Sequence, residues 1–225
     1  MLIRADFSVR AVVTPDDYQW SPAPQPGVER VMLDRKGDEK ARATSLVSYA
    51  PGSVFPSHPH PGGEEILVLD GTFSDADGDY PAGWYLRNPP GSQHAPFSAA
   101  GTLLFVKLWQ MPESERRAVR VDTRIASLWV TQGQRLICPL FKSGDEHVSL
   151  QKLSPTARVL TGPVDGAEIL VLAGDVREGD LRYATGSWLR LPAGDYSALV
   201  AGDGGATIYL KAGPLGRGPT LTEAA

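Results

Sequence analysis

Short apolar runs recur along the chain, at Ser45–Tyr49, Glu65–Leu69, Leu103–Trp109, Leu170–Leu172 and Thr207–Leu210. Each is bounded by Gly, Pro, Asp or Asn, the residues that end strands and form turns. Asp77-Gly78-Asp79 and Asp165-Gly166 read as turns, because glycine takes positive φ without the steric penalty of a Cβ. Only Glu113–Val119 has the look of a helix, and it is short. Many short strands at regular spacing predict an all-β chain folded as a sandwich or closed barrel.

The pattern also repeats. Glu65-Ile66-Leu67-Val68-Leu69-Asp70-Gly71 returns as Glu168-Ile169-Leu170-Val171-Leu172-Ala173-Gly174, a shift of 103 residues. At the same shift Gly83 falls on Gly186, Leu86 on Leu189, Arg87 on Arg190, Pro89 on Pro192 and Gly91 on Gly194. Upstream, Lys36-Gly37-Asp38-Glu39 resembles Ser143-Gly144-Asp145-Glu146, and Leu46 with Pro51 resembles Leu150 with Pro155. Glycines and prolines kept in register behind an apolar run imply two copies of one domain, divided as 1–122 and 123–225. A copy of that size can bury its own core.

Composition narrows the function classes. The chain is 42% hydrophobic and 21% charged, which excludes wholesale disorder. Its net charge is −4, and Arg116, Arg117 and Arg120 sit among acidic neighbours, so they read as a solvated linker. No nucleic-acid partner is expected. No apolar span is long enough for a transmembrane helix and the N-terminus lacks a signal peptide's apolar core, so no membrane association is expected. Cys138 is the single cysteine, which excludes an intrachain disulfide and a Cys-rich zinc site. A cytoplasmic protein fits these features.

Three of the four histidines cluster in the first copy. His58 and His60 alternate, so on a strand both imidazoles point to one face. Pro59 and Pro61 flank them and stiffen the segment before a metal arrives. Glu64 follows the tight Pro61-Gly62-Gly63 connection, and His94 comes 34 residues after His60, where only a closed fold brings it alongside. Imidazoles with one carboxylate suit Fe(II), Zn, Mn, Ni or Cu, and four protein ligands leave open positions on an octahedral ion.

These positions match a known pattern. Gly52, His58, His60, Glu64 and Gly71 resemble the first motif of the cupin superfamily, and Gly83, Pro89, Gly91 and His94 resemble its second. The last position of the second motif, usually Asn, is Ser98. The run from His60 to Phe73, Asp77 to Gly83, and Arg87-Asn88-Pro89-Pro90-Gly91-Ser92 are similar to the ChrR-like cupins, over about residues 45–110. The resemblance implies two tandem cupin barrels of the double-stranded β-helix, or jelly-roll, type. It implies one divalent metal per chain on His58, His60, Glu64 and His94, Fe(II) or Zn(II) foremost, with Mn or Ni as further candidates. Cupin barrels often pair, so a homodimer is a further expectation.

At the repeat shift His58 becomes Thr161, His60 becomes Pro163, Glu64 becomes Ala167 and His94 becomes Ser197. The second copy therefore keeps the fold's punctuation without the ligands. Around the first site, Glu65 should face away from Glu64 and take a surface or turn role. Tyr80, Tyr85, Arg87, Lys107 and Trp109 are candidates to line a pocket. Phe105, Lys107 and Trp109 share one strand face and Leu104, Val106 and Leu108 the other, and either could see the metal. His147 is expected at an exposed turn, without a role.

Two functions follow from the resemblance. One is a non-haem metal-dependent oxygenase acting on a small carbonyl compound, with no catalytic acid or base identified. The other is a ChrR-like sensor of oxidative stress, related to anti-sigma factors, or a module that binds a small ligand. The N-terminal Cys/His zinc domain by which that family holds a sigma factor is expected to be missing, since residues before the first barrel contain no His and no Cys.

Overall fold

The computed structural model describes residues 1–38 and 40–215. It is all-β, with two compact units, each built on its own antiparallel sheet. In the first unit the main sheet runs Leu2–Ile3, Val28–Lys36, Arg42–Tyr49, Thr102–Leu108, Glu64–Asp75, Trp84–Asn88 and Val119–Asp122. In the second it runs Val130–Gln132, Arg135–Ser143, Glu146–Leu153, Leu199–Ala212, Ala167–Glu178, Trp188–Leu191 and Ala11–Val13.

The repeat is visible in the registers. Glu65 pairs with Arg87 and Lys107, as Glu168 pairs with Arg190 and Lys211. The register shift between Met32 and Asp34 recurs between Pro139 and Phe141. Gly71 and Gly174 both have positive φ within the long bent strands. A Cβ there would run into the carbonyl of Gly101 or Gly205, so glycine is required at both places.

The last strand of each sheet comes from a different part of the chain. In the first unit it is Val119–Asp122, against Trp84–Asn88. In the second, Ala11, Val12 and Val13 lie against Arg190, Leu189 and Trp188. The compact units are accordingly residues 1–5 with 19–124, and 6–18 with 125–215, among the described residues. The sequence assigns residues 6–18 to the first copy because they precede it; here they complete the second unit, whose Trp188–Leu191 strand would otherwise be an open edge. Glu113–Val119, expected as a helix, is a turn followed by extended chain. Pro112 at its start, and Arg116 and Arg117 held by Glu113 and Glu115 through local bonds, leave it no helical ladder.

Each barrel has its own core. In the first, Val28, Tyr49, Ile66, Phe73, Leu104 and Val106 belong to one buried cluster. Ile66 and Val68 share a strand face with Glu64, so the apolar core and the carboxylate lie on the same side of the sheet. The other face is also buried. It carries a polar row formed by adjacent strands, Asp34, Thr44, Lys107, Glu65 and Arg87. Glu65, expected at the surface, instead accepts a 3.1 Å bond from Arg87 Nη1 in this row. In the second unit Phe141 and Val148 replace Asp34 and Thr44, but Lys211, Glu168 and Arg190 remain buried.

Candidate metal centre

His58 and His60 lie on the short strand His58–His60, paired antiparallel with Ser92–His94 so that His94 sits opposite His58. The alternation of the strand turns His58 and His60 to one side, and the pairing adds His94 to them. The three rings meet with centroids 4.8 Å apart for His58 and His60, 5.2 Å for His58 and His94, and 4.7 Å for His60 and His94. One ring nitrogen from each lies within 4.8 Å of the others, so the triad is positioned for a metal.

Glu64 enters from the first residue of the strand Glu64–Asp75. Its Oε2 is 3.4 Å from His60 Nε2 and 3.5 Å from His94 Nε2. The turn before it is tight: Gly63 has positive φ, and a Cβ on Gly62 would strike the Trp109 ring.

The ring orientations are set from behind. His58 Nδ1 lies 3.0 Å from the Pro56 carbonyl, and His94 Nδ1 lies 3.3 Å from Asp75 Oδ2. Both contacts leave Nε2 as the free lone pair, the usual arrangement of a metal-ligating imidazole. Glu64 Oε2 accepts a 3.0 Å bond from Asn88 Nδ2, and Asn88 Oδ1 accepts a 2.8 Å bond from Arg120 Nη2. Asp75, Asn88 and Arg120 have no motif signal of their own for these roles. Asn88 meets Glu64 only through strand register, and Arg120, read as linker, joins through the strand Val119–Asp122.

Burial sets the charge states of these groups. Burial, with the neighbouring His58, holds His60 down to about 4. Burial also lowers His94 against the opposing pull of Glu64, and raises the Glu64 carboxyl. The close contacts between Glu64 and the two histidines are therefore not ion pairs, because burial disfavours all three charged forms. His60 Nε2 and His94 Nε2 are buried with no hydrogen-bond partner. Two orphaned imidazole nitrogens facing one carboxylate oxygen fit a divalent ion with bonds of about 2.0–2.2 Å.

A cavity of about 380 Å³ opens beside these groups. Its walls include Val28, Val47, Tyr49, Phe73, Leu104 and Val106, with Arg30 also lining it. The face bearing Leu104, Val106 and Leu108 is thus the one that sees the site, while Phe105 and Lys107 are buried on the opposite side. Of the five pocket candidates, Trp109 lines the cavity, carried there by a positive φ of 58° that ends the strand's alternation. Tyr80 packs behind it on Phe73, and Tyr85, Arg87 and Lys107 lie elsewhere. His147 is exposed, on the strand Glu146–Leu153.

In the second unit Ala167 occupies the register of Glu64, pairing with Leu191 and Ala212 as Glu64 pairs with Asn88 and Leu108. Both Glu64 and its partner Asn88 are thus replaced by apolar residues there. No described helix is long and apolar enough to cross a membrane.

Comparison with known proteins agrees with this architecture. The chain superposes on a candidate dioxygenase from Nostoc punctiforme with a TM-score of 0.67 at 15% identity, covering 100% of this chain and 86% of that one. A candidate glyoxylate-induced protein from Pseudomonas aeruginosa gives 0.70 at 18%, covering 96% and 91%. The pirin YhhW of Escherichia coli, solved with nickel(II), gives 0.65 at 15%, covering 92% and 99%. No curated protein matches the chain in sequence. Residues 8–112 match the model of the ChrR cupin-like domain. Residues 8–112 are therefore a ChrR cupin-like domain of the cupin superfamily.

Proposed function

We propose that this protein is a metal-binding bicupin whose first barrel is a non-haem metal-dependent oxygenase acting on a small carbonyl compound. The observation that carries the reading is the pair of buried, unpartnered nitrogens, His60 Nε2 and His94 Nε2, turned toward Glu64 beside an apolar cavity. His58, His60, Glu64 and His94 would hold one divalent ion, Fe(II) in this reading and Zn(II) in the alternative. When bound, the ion supplies a Lewis acid and a template for substrate and dioxygen.

The chain's own contribution is placement and exclusion of water. Asp75 and the Pro56 carbonyl hold the protons of His94 and His58 on Nδ1, which keeps Nε2 available. Asn88, anchored by Arg120, keeps Glu64 Oε2 turned inward. Val106, Leu104 and Phe73 present an apolar wall to a substrate's hydrocarbon body, in a volume suited to a small molecule. Similarity in fold to a candidate dioxygenase supports the reading without identifying the substrate.

The match of residues 8–112 to the ChrR cupin-like domain favours a second reading, a sensor of oxidative conditions acting through another protein. Elemental analysis of untagged protein purified without chelators separates the two, with His58→Ala as control. About one iron per chain, lost in the control, together with oxygen uptake on β-diketones or aryl ketones, is the expected result. Zinc without oxygen uptake moves the assignment to the sensor, and no metal after reconstitution overturns both.

A further inference from the structure

The second barrel has lost the metal ligands but not its cavity. A cavity of about 840 Å³ opens in this unit, lined by Thr161 and Pro163, the counterparts of His58 and His60, and by Leu210 and Ala212. Register shows what changed in its wall. Val28 pairs with Tyr49 in the first barrel, as Arg135 pairs with Leu153 in the second. Arg30 pairs with Val47, as Ile137 pairs with Gln151. The apolar wall residues Val28 and Val47 are therefore replaced by Arg135 and Gln151.

This Arg–Gln pair is held rigidly. Arg135 Nη1 donates to Gln151 Oε1 at 2.7 Å and to the Val159 carbonyl at 3.1 Å, and Nη2 donates to the Arg158 carbonyl at 2.6 Å. Gln151 Nε2 donates in turn to Ser149 Oγ at 3.1 Å, which sets its amide with the oxygen toward Arg135. Three of the five guanidinium N–H groups are used, all on neutral acceptors, so Nε–H and one Nη2–H remain. Among the described residues no carboxylate pairs with Arg135 or with Arg158, which lines the same cavity. Partial burial lowers the Arg135 guanidinium from its ordinary value with no opposing carboxylate.

The rest of the lining agrees in sign. It adds the amides of Gln132 and Gln134 and contains neither Asp nor Glu among the described residues. Buried Val159, Leu160 and Leu210 form an apolar floor. A cation that is fixed, partly desolvated and without a carboxylate selects an anion, since a bidentate acid group supplies both the missing charge and the missing acceptors. The floor and the volume select one with an apolar body rather than a bare inorganic ion.

We propose that the second barrel is a binding site for a small organic anion, its carboxylate or phosphate seated on Arg135 and Arg158 and its apolar body on Val159, Leu160 and Leu210. The site takes the place of the metal centre and works independently of it. This assigns the diverged copy a ligand of its own.

Titration calorimetry of the full chain at low salt tests this with benzoate, phenyl phosphate and neutral benzamide as probes. Saturable binding of one or both anions is expected, benzoate reporting a carboxylate site and phenyl phosphate a phosphate site, with benzamide giving no heat. Arg135→Gln and Arg158→Gln should each weaken it by about tenfold to a hundredfold, the loss typical of a hydrogen bond to a charged group. His60→Ala, which disables the other barrel, should leave it unchanged. Arg158 is exposed and its side chain donates no bond within the described fold, so its variant remains informative if Arg135→Gln does not fold. Absence of saturable binding, equal binding of benzamide, wild-type affinity in Arg158→Gln, or loss of binding in His60→Ala would overturn the assignment.

Discussion

Asp75 Oδ2 stands 3.3 Å behind His94 Nδ1, on the far side of the ring from Glu64. The carboxylate thereby fixes both the ring's plane and which nitrogen is left for a metal. Such outer partners typically change metal affinity by about 10- to 100-fold when removed. Asp75→Leu is expected to lose affinity in that range while the far-ultraviolet circular dichroism of the barrel is retained. Competition with a metallochromic chelator measures it, and unchanged affinity would show that His94 is oriented by its packing on Phe73 instead.

The depressed imidazoles give a pH dependence with a definite sign. His60 titrates near 4 when folded against 6.5 in the unfolded chain, so the unfolded chain binds the extra proton between those values. The stability of metal-free protein should therefore fall as pH drops from 6.5 toward about 4, and His94 acts in the same direction. Glu64 has the opposite sign. Its raised carboxyl contributes most below its ordinary value of 4.5, and that contribution is lost as pH climbs through the raised one. Urea denaturation of chelator-treated protein across this range should show the acid-side slope in wild type and a shallower one in His60→Gln. Equal slopes would mean that other groups govern the acid limb.

Glu65 and Glu64 are neighbours in sequence with opposite duties. Replacing Glu65 by Ala leaves Arg87 as a buried charge without its carboxylate. Breaking a buried pair in this way costs about 3–5 kcal/mol. Chemical denaturation should show that loss, while metal content per folded chain stays near wild type because Glu65 points away from the histidines. A selective loss of metal at unchanged stability would contradict this division of roles.

The N-terminal strand makes a separable prediction for the second unit. Val13 is buried and pairs with Trp188, itself fully buried. Val13→Asp places a carboxylate at this buried strand pairing, which should destabilise the second unit by several kcal/mol by the cost of burying an ion. Thermal unfolding should then show an early transition, with anion binding lost and metal binding in the first barrel retained. A single transition shifted as a whole would mean that the two units unfold together.

Much of the site was legible in the sequence because a ligand set needs fixed residue types. His58, His60, Glu64 and His94 meet as their spacing suggests, and the prolines and glycines between them account for the turns that bring them there. Asn88 and Arg120 were not legible as site residues, since only the pairing of Trp84–Asn88 with two neighbouring strands brings them to Glu64. The same holds for Glu65. Alternation correctly turned it away from Glu64, but burial of the outer sheet face as well as the inner one depends on how the sheet is covered.

By itself the sequence determined that the chain is all-β and duplicated, and that the cluster of three histidines belongs to the first copy. These are properties of local pattern: strand alternation, turn residues with allowed φ, and side chains able to bind a metal. The tertiary structure decided which face of Thr102–Leu108 meets the histidine triad, which carboxylate orients His94, and that Ala11–Val13 completes the second unit rather than the first. It also decided that Arg135 stands where Val28 stands in the other barrel. Each of these is a matter of register between strands distant in sequence, and pairing across a closed sheet is chosen by the packing of the whole barrel, not by any one strand.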